Sequence, residues 1–260
     1  MQIPLYQIDA FSSKTFGGNP AAVCPLKTWL SDTLLQNIAA ENNLSETAFI
    51  IANETGYQIR WFTPTTEVAL CGHATLASAY VIFHELDPLC DQIQFTSQSG
   101  PLSVTREHDW LVLDFPQQPA SPCAMPDNLT AALGKAPHSA FKATDYLFIY
   151  EREQDIRNLK PDFALLKQLD CRGIITTAKG DEVDFVSRFF APAAGVNEDP
   201  VTGSAHCTLT PYWAEQLEQT QFLAQQLSSR GGELRCELKQ DRVLIAGQAV
   251  QYLQGMIEIP

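Results

Sequence analysis

An internal repeat limits the architecture more than any other feature of the chain. Arg60-Trp61-Phe62-Thr63-Pro64-Thr65-Thr66-Glu67-Val68 is matched 128 residues later by Arg188-Phe189-Phe190-Ala191-Pro192-Ala193-Ala194-Gly195-Val196. After three extra residues in the second copy, Gly72-His73-Ala74 aligns with Gly203-Ser204-Ala205. Both copies read as strand, proline-bearing loop, glycine and helix. Upstream, Leu34-Leu35 and Leu165-Leu166 lie in helical patterns, each followed by an apolar strand, 47–51 and 173–177. An offset close to half of 260 residues means two similar halves and not a solenoid array. A chain of this length can bury two cores of ordinary domain size.

Many strands with one substantial helix per half indicate an α+β fold, with strands wrapped around helices. Residues 117–122, Gln-Gln-Pro-Ala-Ser-Pro, read as a linker, which divides the chain into domains 1–118 and 119–260. Ile3 to Phe11 alternates as a strand. It leads into Gly17-Gly18-Asn19-Pro20, which is turn chemistry, or else a backbone loop that approaches a ligand. Ser31-Asp32 caps a helix that carries Leu34, Leu35, Ile38 and Ala39 and stops near Asn42-Asn43. Further helices are expected over 127–133 and 162–169. A long helix, broken near Pro211, is expected over 205–227, and 191–203 reads as a loop.

Charge and cysteine usage exclude several function classes. A formal charge of −13 argues against nucleic acid and against anionic membrane surfaces, while leaving an anionic small substrate possible at a locally positive site. Seven widely spaced cysteines without a CxxC suit free thiols in a reducing compartment. No basic and apolar leader is visible and no apolar run approaches membrane-spanning length, so a cytoplasmic protein is expected. There is no GxGxxG, Walker A, HExxH or GxSxG motif and no close His/Cys cluster with zinc spacing. Neither a cofactor nor a metal is expected.

Three stretches hold candidate chemistry. In Leu44-Ser45-Glu46-Thr47-Ala48-Phe49-Ile50, read as a strand, Glu46 shares a face with Leu44, Ala48 and Ile50. Burial there raises a carboxylate's pKa, as a general base that must return its proton requires. A strand end open to solvent, or a pairing with Arg60 or Arg188, explains the same pattern. Cys71-Gly72-His73-Ala74 opens a helix rich in small residues. A helix N-terminus lowers a thiol's pKa and favours neutral imidazole, so Cys71 reads as acidified and His73 as a neutral proton shuttle, a ligand-orienting donor or a structural histidine. Asn197-Glu198-Asp199-Pro200-Val201-Thr202-Gly203-Ser204 sets two carboxylates and a glycine before the second helix N-terminus, a place suited to an anion.

Together, Phe16-Gly17-Gly18-Asn19-Pro20-Ala21, Leu44-Ser45-Glu46-Thr47-Ala48-Phe49, Cys71-Gly72-His73-Ala74-Thr75 and Glu198-Asp199-Pro200-Val201-Thr202-Gly203-Ser204-Ala205 resemble the PhzF-like (phenazine biosynthesis-like) isomerases. Diaminopimelate epimerases and proline racemases are relatives of that family. The resemblance implies two pseudo-symmetric domains, each a rolled antiparallel-rich sheet around a central helix. It places the active site in the cleft between them, and lets a terminal strand, 249–260, return to the first domain. It implies cofactor-free proton transfer between carbons of a small unsaturated or cyclic carboxylic acid. Glu46 would be the general acid/base, and His73 and Asp199 would hold the substrate and steer protons. Gly72, Gly203 and Ser204 would hold a carboxylate, with Asn19 and Cys71 contributing to the cleft. It further implies a homodimer. In the two-thiol racemases a cysteine precedes the glycine in both halves. Here Cys71 does so, but Thr202 takes the second place, with Cys207 five residues on. A cysteine-dependent epimerase and a non-catalytic small-molecule binder remain the alternative readings.

Overall fold

In the computed structural model, which describes residues 1–259, the chain divides between Asp114 and Phe115, and residues from Ala246 onward belong with the first unit. The division falls within the strand Trp110–Pro116, just ahead of the proline-bearing stretch at 117–122.

The first unit contains β1 (Gln2–Ala10), β2 (Asn19–Pro25), α1 (Asp32–Asn42), β3 (Glu46–Asn53), β4 (Gly56–Phe62), β5 (Glu67–Val68), α2 (Gly72–Val81), β6 (Gln92–Ser97), β7 (Gly100–Glu107) and β8 (Trp110–Pro116). Its pairings are β1 to β2 antiparallel, β2 to β3 parallel, β3 to β4 and β4 to β5 antiparallel, β4 to β6 parallel, and β6 to β7 antiparallel. The helix α2 is the centre of the unit. It is buried nearly all round, and its small Ala74, Ala77, Ser78 and Ala79 let β1, β2 and β3 approach it. Its buried hydroxyls are satisfied within the helix: Thr75 Oγ1 donates to the Cys71 carbonyl at 2.6 Å and Ser78 Oγ to that of Ala74 at 2.7 Å. On α1, the Ser31 side chain caps the first turn and Asn43, at φ 48°, ends the helix in the left-handed region.

The second unit repeats the order. It contains β9 (Ser121–Pro122), α3 (Leu129–Leu133), β10 (Ser139–Lys142), β11 (Tyr146–Ile149), α4 (Glu153–Arg157), α5 (Phe163–Leu166), β12 (Ile174–Lys179), β13 (Phe185–Ala191), β14 (Val196–Asp199), α6 (Gly203–Leu217), β15 (Gln221–Gln226), β16 (Gly232–Lys239) and β17 (Arg242–Gly247). Antiparallel β10–β11, parallel β11–β12, antiparallel β12–β13 and β13–β14, parallel β13–β15 and antiparallel β15–β16 reproduce the first unit's connections in sequence. The last strand, β18 (Ala249–Glu258), pairs antiparallel with β1 along its whole length. The fold is therefore α+β, sheet-dominated, with one buried helix at the heart of each half.

The repeat also carries an ion pair. Arg60 grips Glu67 through Nε and Nη2, both at 2.7 Å, and Arg188 grips Glu198 at 2.7 and 2.9 Å. Each pair ties the strand before the loop to the strand just ahead of the glycine that opens the helix. Two-point guanidinium–carboxylate bonding of this kind fixes orientation as well as distance.

Several local expectations are corrected. Residues 191–203 are not open loop: a 3-10 turn at Pro192–Ala194 is followed by β14, which pairs with β13 across a register shift. The Val-Asn-Glu-Asp sequence of β14 holds one apolar residue, so no alternation marks it. The helix expected over 205–227 ends at Leu217, where Glu218 turns left-handed at φ 53°, and Gln221–Gln226 is a strand with Phe222, Ala224 and Gln226 inward. Pro211 does not break α6. It leaves the Cys207 carbonyl without its helical donor, and Gln118 N–H supplies one at 2.9 Å. The 162–169 helix shrinks to α5 with Asp162 as its N-cap, and α3 starts at Leu129.

Candidate active site

Gly18 and Asn19 are placed by the turn after β1. Gly18 has φ +63°, and a Cβ there would lie 2.1 Å from the Ala10 carbonyl oxygen, so glycine is required. The buried Asp9 accepts from Phe16 N–H at 2.8 Å and holds the turn shut. Asn19 is thereby the first residue of β2, fully buried, opposite Ala10. Parallel pairing of Ala21 with Glu46 brings the start of β3 alongside.

Cys71 is the extended N-cap residue of α2, with no side-chain cap, and Gly72 and His73 form the first turn. His73 is the hub. Its Nδ1 lies 3.2 Å from Asn19 Nδ2 and 3.5 Å from Cys71 Sγ, and its Nε2 lies 3.1 Å from Glu46 Oε2. The Glu46 and His73 atoms are shielded from solvent and face each other as an ion pair, with no hydrogen bond to a third group. Asn19, Glu46, Cys71 and His73, 54 residues apart at the extremes, thus form one cluster.

The electrostatics reverse two expectations. Burial raises the Cys71 thiol above its ordinary value, and the Glu46 carboxylate adds to that, overriding the helix N-terminus that was expected to acidify it. For His73, burial favours neutral imidazole, but the Cys71 sulfur and the Glu46 carboxylate beside it outweigh burial and raise its pKa well above the ordinary value. An imidazolium against a carboxylate is the state this geometry favours.

In the second unit, Thr202 is the extended N-cap residue of α6, followed by Gly203 and Ser204, and Asp199 closes β14. Thr202 Oγ1 donates to Asp199 Oδ2 in a short hydrogen bond. The fully buried Gln226 fixes this corner. Its Oε1 accepts from Thr202 N–H at 2.9 Å, and its Nε2 donates to the Asp199 carbonyl at 2.8 Å and to Thr202 Oγ1 at 3.2 Å. Arg172, gripped by the buried Asp145 through two hydrogen bonds, lies 3.3 Å from Ser204 Oγ. Hydrogen bonding to Asp145 holds this guanidinium firmly charged against the opposing effect of burial. Sequence reading missed Gln226, Arg172 and Asp145. Gln226 alone left a signal, a polar residue on the inward period of an apolar strand. Cys207 lies buried on α6, with its thiol pushed up to about 12 by burial.

The two helix starts are equivalent in the repeat but differ in content. The strand registers pair Thr47 with Phe62 and Ile174 with Phe190, so Glu46 corresponds to Gly173. A Cβ at Gly173 would lie 2.2 Å from the Phe189 ring. Cys71 corresponds to Thr202 and His73 to Ser204. Only the first unit therefore carries the carboxylate–imidazole–thiol set.

A model of the phenazine biosynthesis-like (PhzC-PhzF) family matches residues 8–255. The chain is 51% identical to an uncharacterized isomerase of Pseudomonas aeruginosa, covering all of both chains. It superposes on a crystal structure of a PhzF-family phenazine biosynthesis protein from Enterococcus faecalis with a TM-score of 0.97 and 47% identity, again covering all of both chains. The fold, without close sequence likeness, extends to a hydroxyproline epimerase of Agrobacterium vitis, at TM-score 0.63 and 9% identity over 98% of this chain and 91% of that one. With the family's motifs, its duplicated fold and full-length relatives all in agreement, the chain belongs to the phenazine biosynthesis-like, or PhzF-like, isomerase family.

Proposed function

We propose that the protein is a cofactor-independent isomerase that moves a proton between carbons of a small unsaturated or cyclic carboxylic acid, with Glu46 as general acid and base. The observation that carries this reading is the 3.1 Å approach of Glu46 Oε2 to His73 Nε2, in which both atoms are shielded from water and neither is spent on a hydrogen bond. A carboxylate oxygen so placed can accept a proton from carbon and, as the carboxylic acid, return it to another carbon. The cationic His73 stabilises negative charge that develops on the substrate. Asn19 and Cys71 hold the imidazole from its Nδ1 side. Gly72 opens a helix whose first N–H groups suit a carboxylate. Asp199, Gly203 and Ser204 are given the substrate-holding roles that the family resemblance implies. Seven free thiols support a reducing, cytoplasmic setting. Among the described residues no helix is long and apolar enough to cross a membrane. A homodimer is proposed on the resemblance, and the exposed Tyr252, Leu253 and Met256 of β18 supply an apolar surface for it.

The cysteine-dependent epimerase is less well supported. Thr202 occupies the second thiol's place, and Cys207 is buried with a strongly raised pKa.

The test is proton NMR in D₂O with a panel of small unsaturated, hydroxylated and amino carboxylic acids, run with wild type and Glu46→Gln. Deuterium incorporation or a shifted double bond in wild type, reduced by about 10²–10⁴-fold in the variant, is the expected outcome. Exchange undiminished in Glu46→Gln would remove Glu46 as the base. Exchange at the α-carbon of a saturated amino acid would favour the epimerase, and binding without exchange the non-catalytic reading.

A further inference from the structure

We propose that Glu46, Cys71 and His73 also form a binding site for a borderline-soft divalent cation of the zinc class. A carboxylate oxygen, a thiol sulfur and an imidazole nitrogen from these residues all lie within 4.8 Å of one another. Zinc bonds of about 2.0–2.3 Å in tetrahedral geometry place neighbouring ligand atoms about 3.3–3.7 Å apart. The structure has Nε2 to Oε2 at 3.1 Å, while Sγ lies 3.5 Å from Nδ1, the other nitrogen of the ring. To bring all three atoms onto one centre, the Cys71 side chain turns from Nδ1 toward the nitrogen that faces the carboxylate, within the 4.8 Å that separates the group.

A second observation points the same way. His73 Nε2 and Glu46 Oε2 are buried polar atoms without a hydrogen bond, and the His73 side chain is 6% exposed. An ion on Nε2 replaces their ion pair with a directed bond to each atom. It leaves Nδ1 to Asn19, whose amide, turned so that its oxygen accepts, supplies the outer hydrogen bond that ligating histidines ordinarily make. One thiolate, one imidazole and one carboxylate are a donor set that prefers zinc to magnesium or calcium, which take oxygen ligands. Three protein ligands leave a fourth position open for water or a substrate carboxylate. On binding, the thiol proton leaves to solvent and Sγ coordinates as thiolate. Sequence spacing hid the site, because Glu46 enters from a strand 25 residues before Cys71.

Metal binding does not depend on the isomerase reading. Its consequence does: an ion on Glu46 and His73 occupies the proposed base and blocks turnover. The two are separated by a spectroscopic readout that needs no substrate. Co²⁺ is titrated into metal-free full-length protein, and the near-ultraviolet thiolate-to-cobalt charge-transfer band is followed. A band that saturates at one ion per chain, is bleached by Zn²⁺ and is missing in Cys71→Ser is the expected result. Glu46→Gln and His73→Gln should each weaken Co²⁺ binding by tenfold or more. The proposal is overturned by absence of the band in wild type, by its persistence in Cys71→Ser, which would assign it to another cysteine, or by unchanged affinity in Glu46→Gln. Should circular dichroism show Cys71→Ser unfolded, the Glu46→Gln affinity decides.

Discussion

His206 offers a test of the second unit's corner that can be worked through in numbers. It lies in the second turn of α6, fully buried. Its Nδ1–H donates to the Thr202 carbonyl at 2.9 Å, and its Nε2 is buried without a hydrogen bond. Burial lowers its pKa from 6.5 to about 4, the Thr202 carbonyl opposing only in part. The sign follows from proton counts. Between pH 4 and 6.5 the unfolded chain binds the proton and the folded chain does not, so this histidine's contribution to stability falls as pH falls through that window. For those two pKa values the loss relative to neutral pH is about 2 kcal/mol at pH 5 and about 3 kcal/mol at pH 4. His206→Asn keeps a short side chain with an N–H donor and removes the titration. At pH 7 it should cost on the order of 1 kcal/mol for the altered hydrogen bond and packing. Its stability should then decline less steeply than wild type on acidification, so the gap closes between pH 6 and pH 5 and is reversed by about 1 kcal/mol at pH 5. Urea unfolding of both proteins at pH 7, 6 and 5 and one ionic strength reads this directly. Parallel pH profiles for the two would show that His206 is not held neutral, and the account of the corner would fail.

Two further predictions concern the repeat and the thiols. Arg188→Met should destabilise by about 3 kcal/mol in denaturant unfolding, because Glu198 is left partly buried and the carbonyls of Ile156 and Leu159 also lose their donor. Arg60→Met, which also frees an exposed Asp32, should cost less, and equal costs would remove the role given to the carbonyls. Iodoacetamide at neutral pH, followed by peptide mass spectrometry, should label half-buried Cys90, Cys123 and Cys171 before Cys24, Cys71, Cys207 and Cys236. Cys71 labelled first would mean that its thiol is acidic, contrary to the effect of burial and of Glu46.

The repeat, the α+β class and the grouping of candidate residues around two glycine-opened helices were legible in the sequence, because they rest on local chemistry. Turn residues, capping residues and helix-opening glycines act within a few positions of themselves. Asn19, Glu46, Cys71 and His73 stood out for that reason, and parallel pairing of β2 with β3 against α2 brings them together. What local chemistry could not show was how neighbours from distant strands change one another. The helix N-terminus predicted an acidic Cys71 and a neutral His73. Burial, with Glu46 adding to it, reverses the first, and the neighbouring Cys71 sulfur and the Glu46 carboxylate, 3.1 Å from His73 Nε2, reverse the second against the effect of burial. The helix expected through 217–227 failed because Gln, Leu and Ala suit helices in isolation, while pairing with β13 and β16 makes that segment a strand. Gln226, at the end of that strand, then fixes Thr202 and Asp199, a role set only by tertiary contacts. The sequence alone singled out the candidate residues and showed that the fold is duplicated. Tertiary structure decided the direction of their pKa shifts, their partners and which half holds the carboxylate–imidazole–thiol cluster, because those properties depend on distances between residues far apart in the chain.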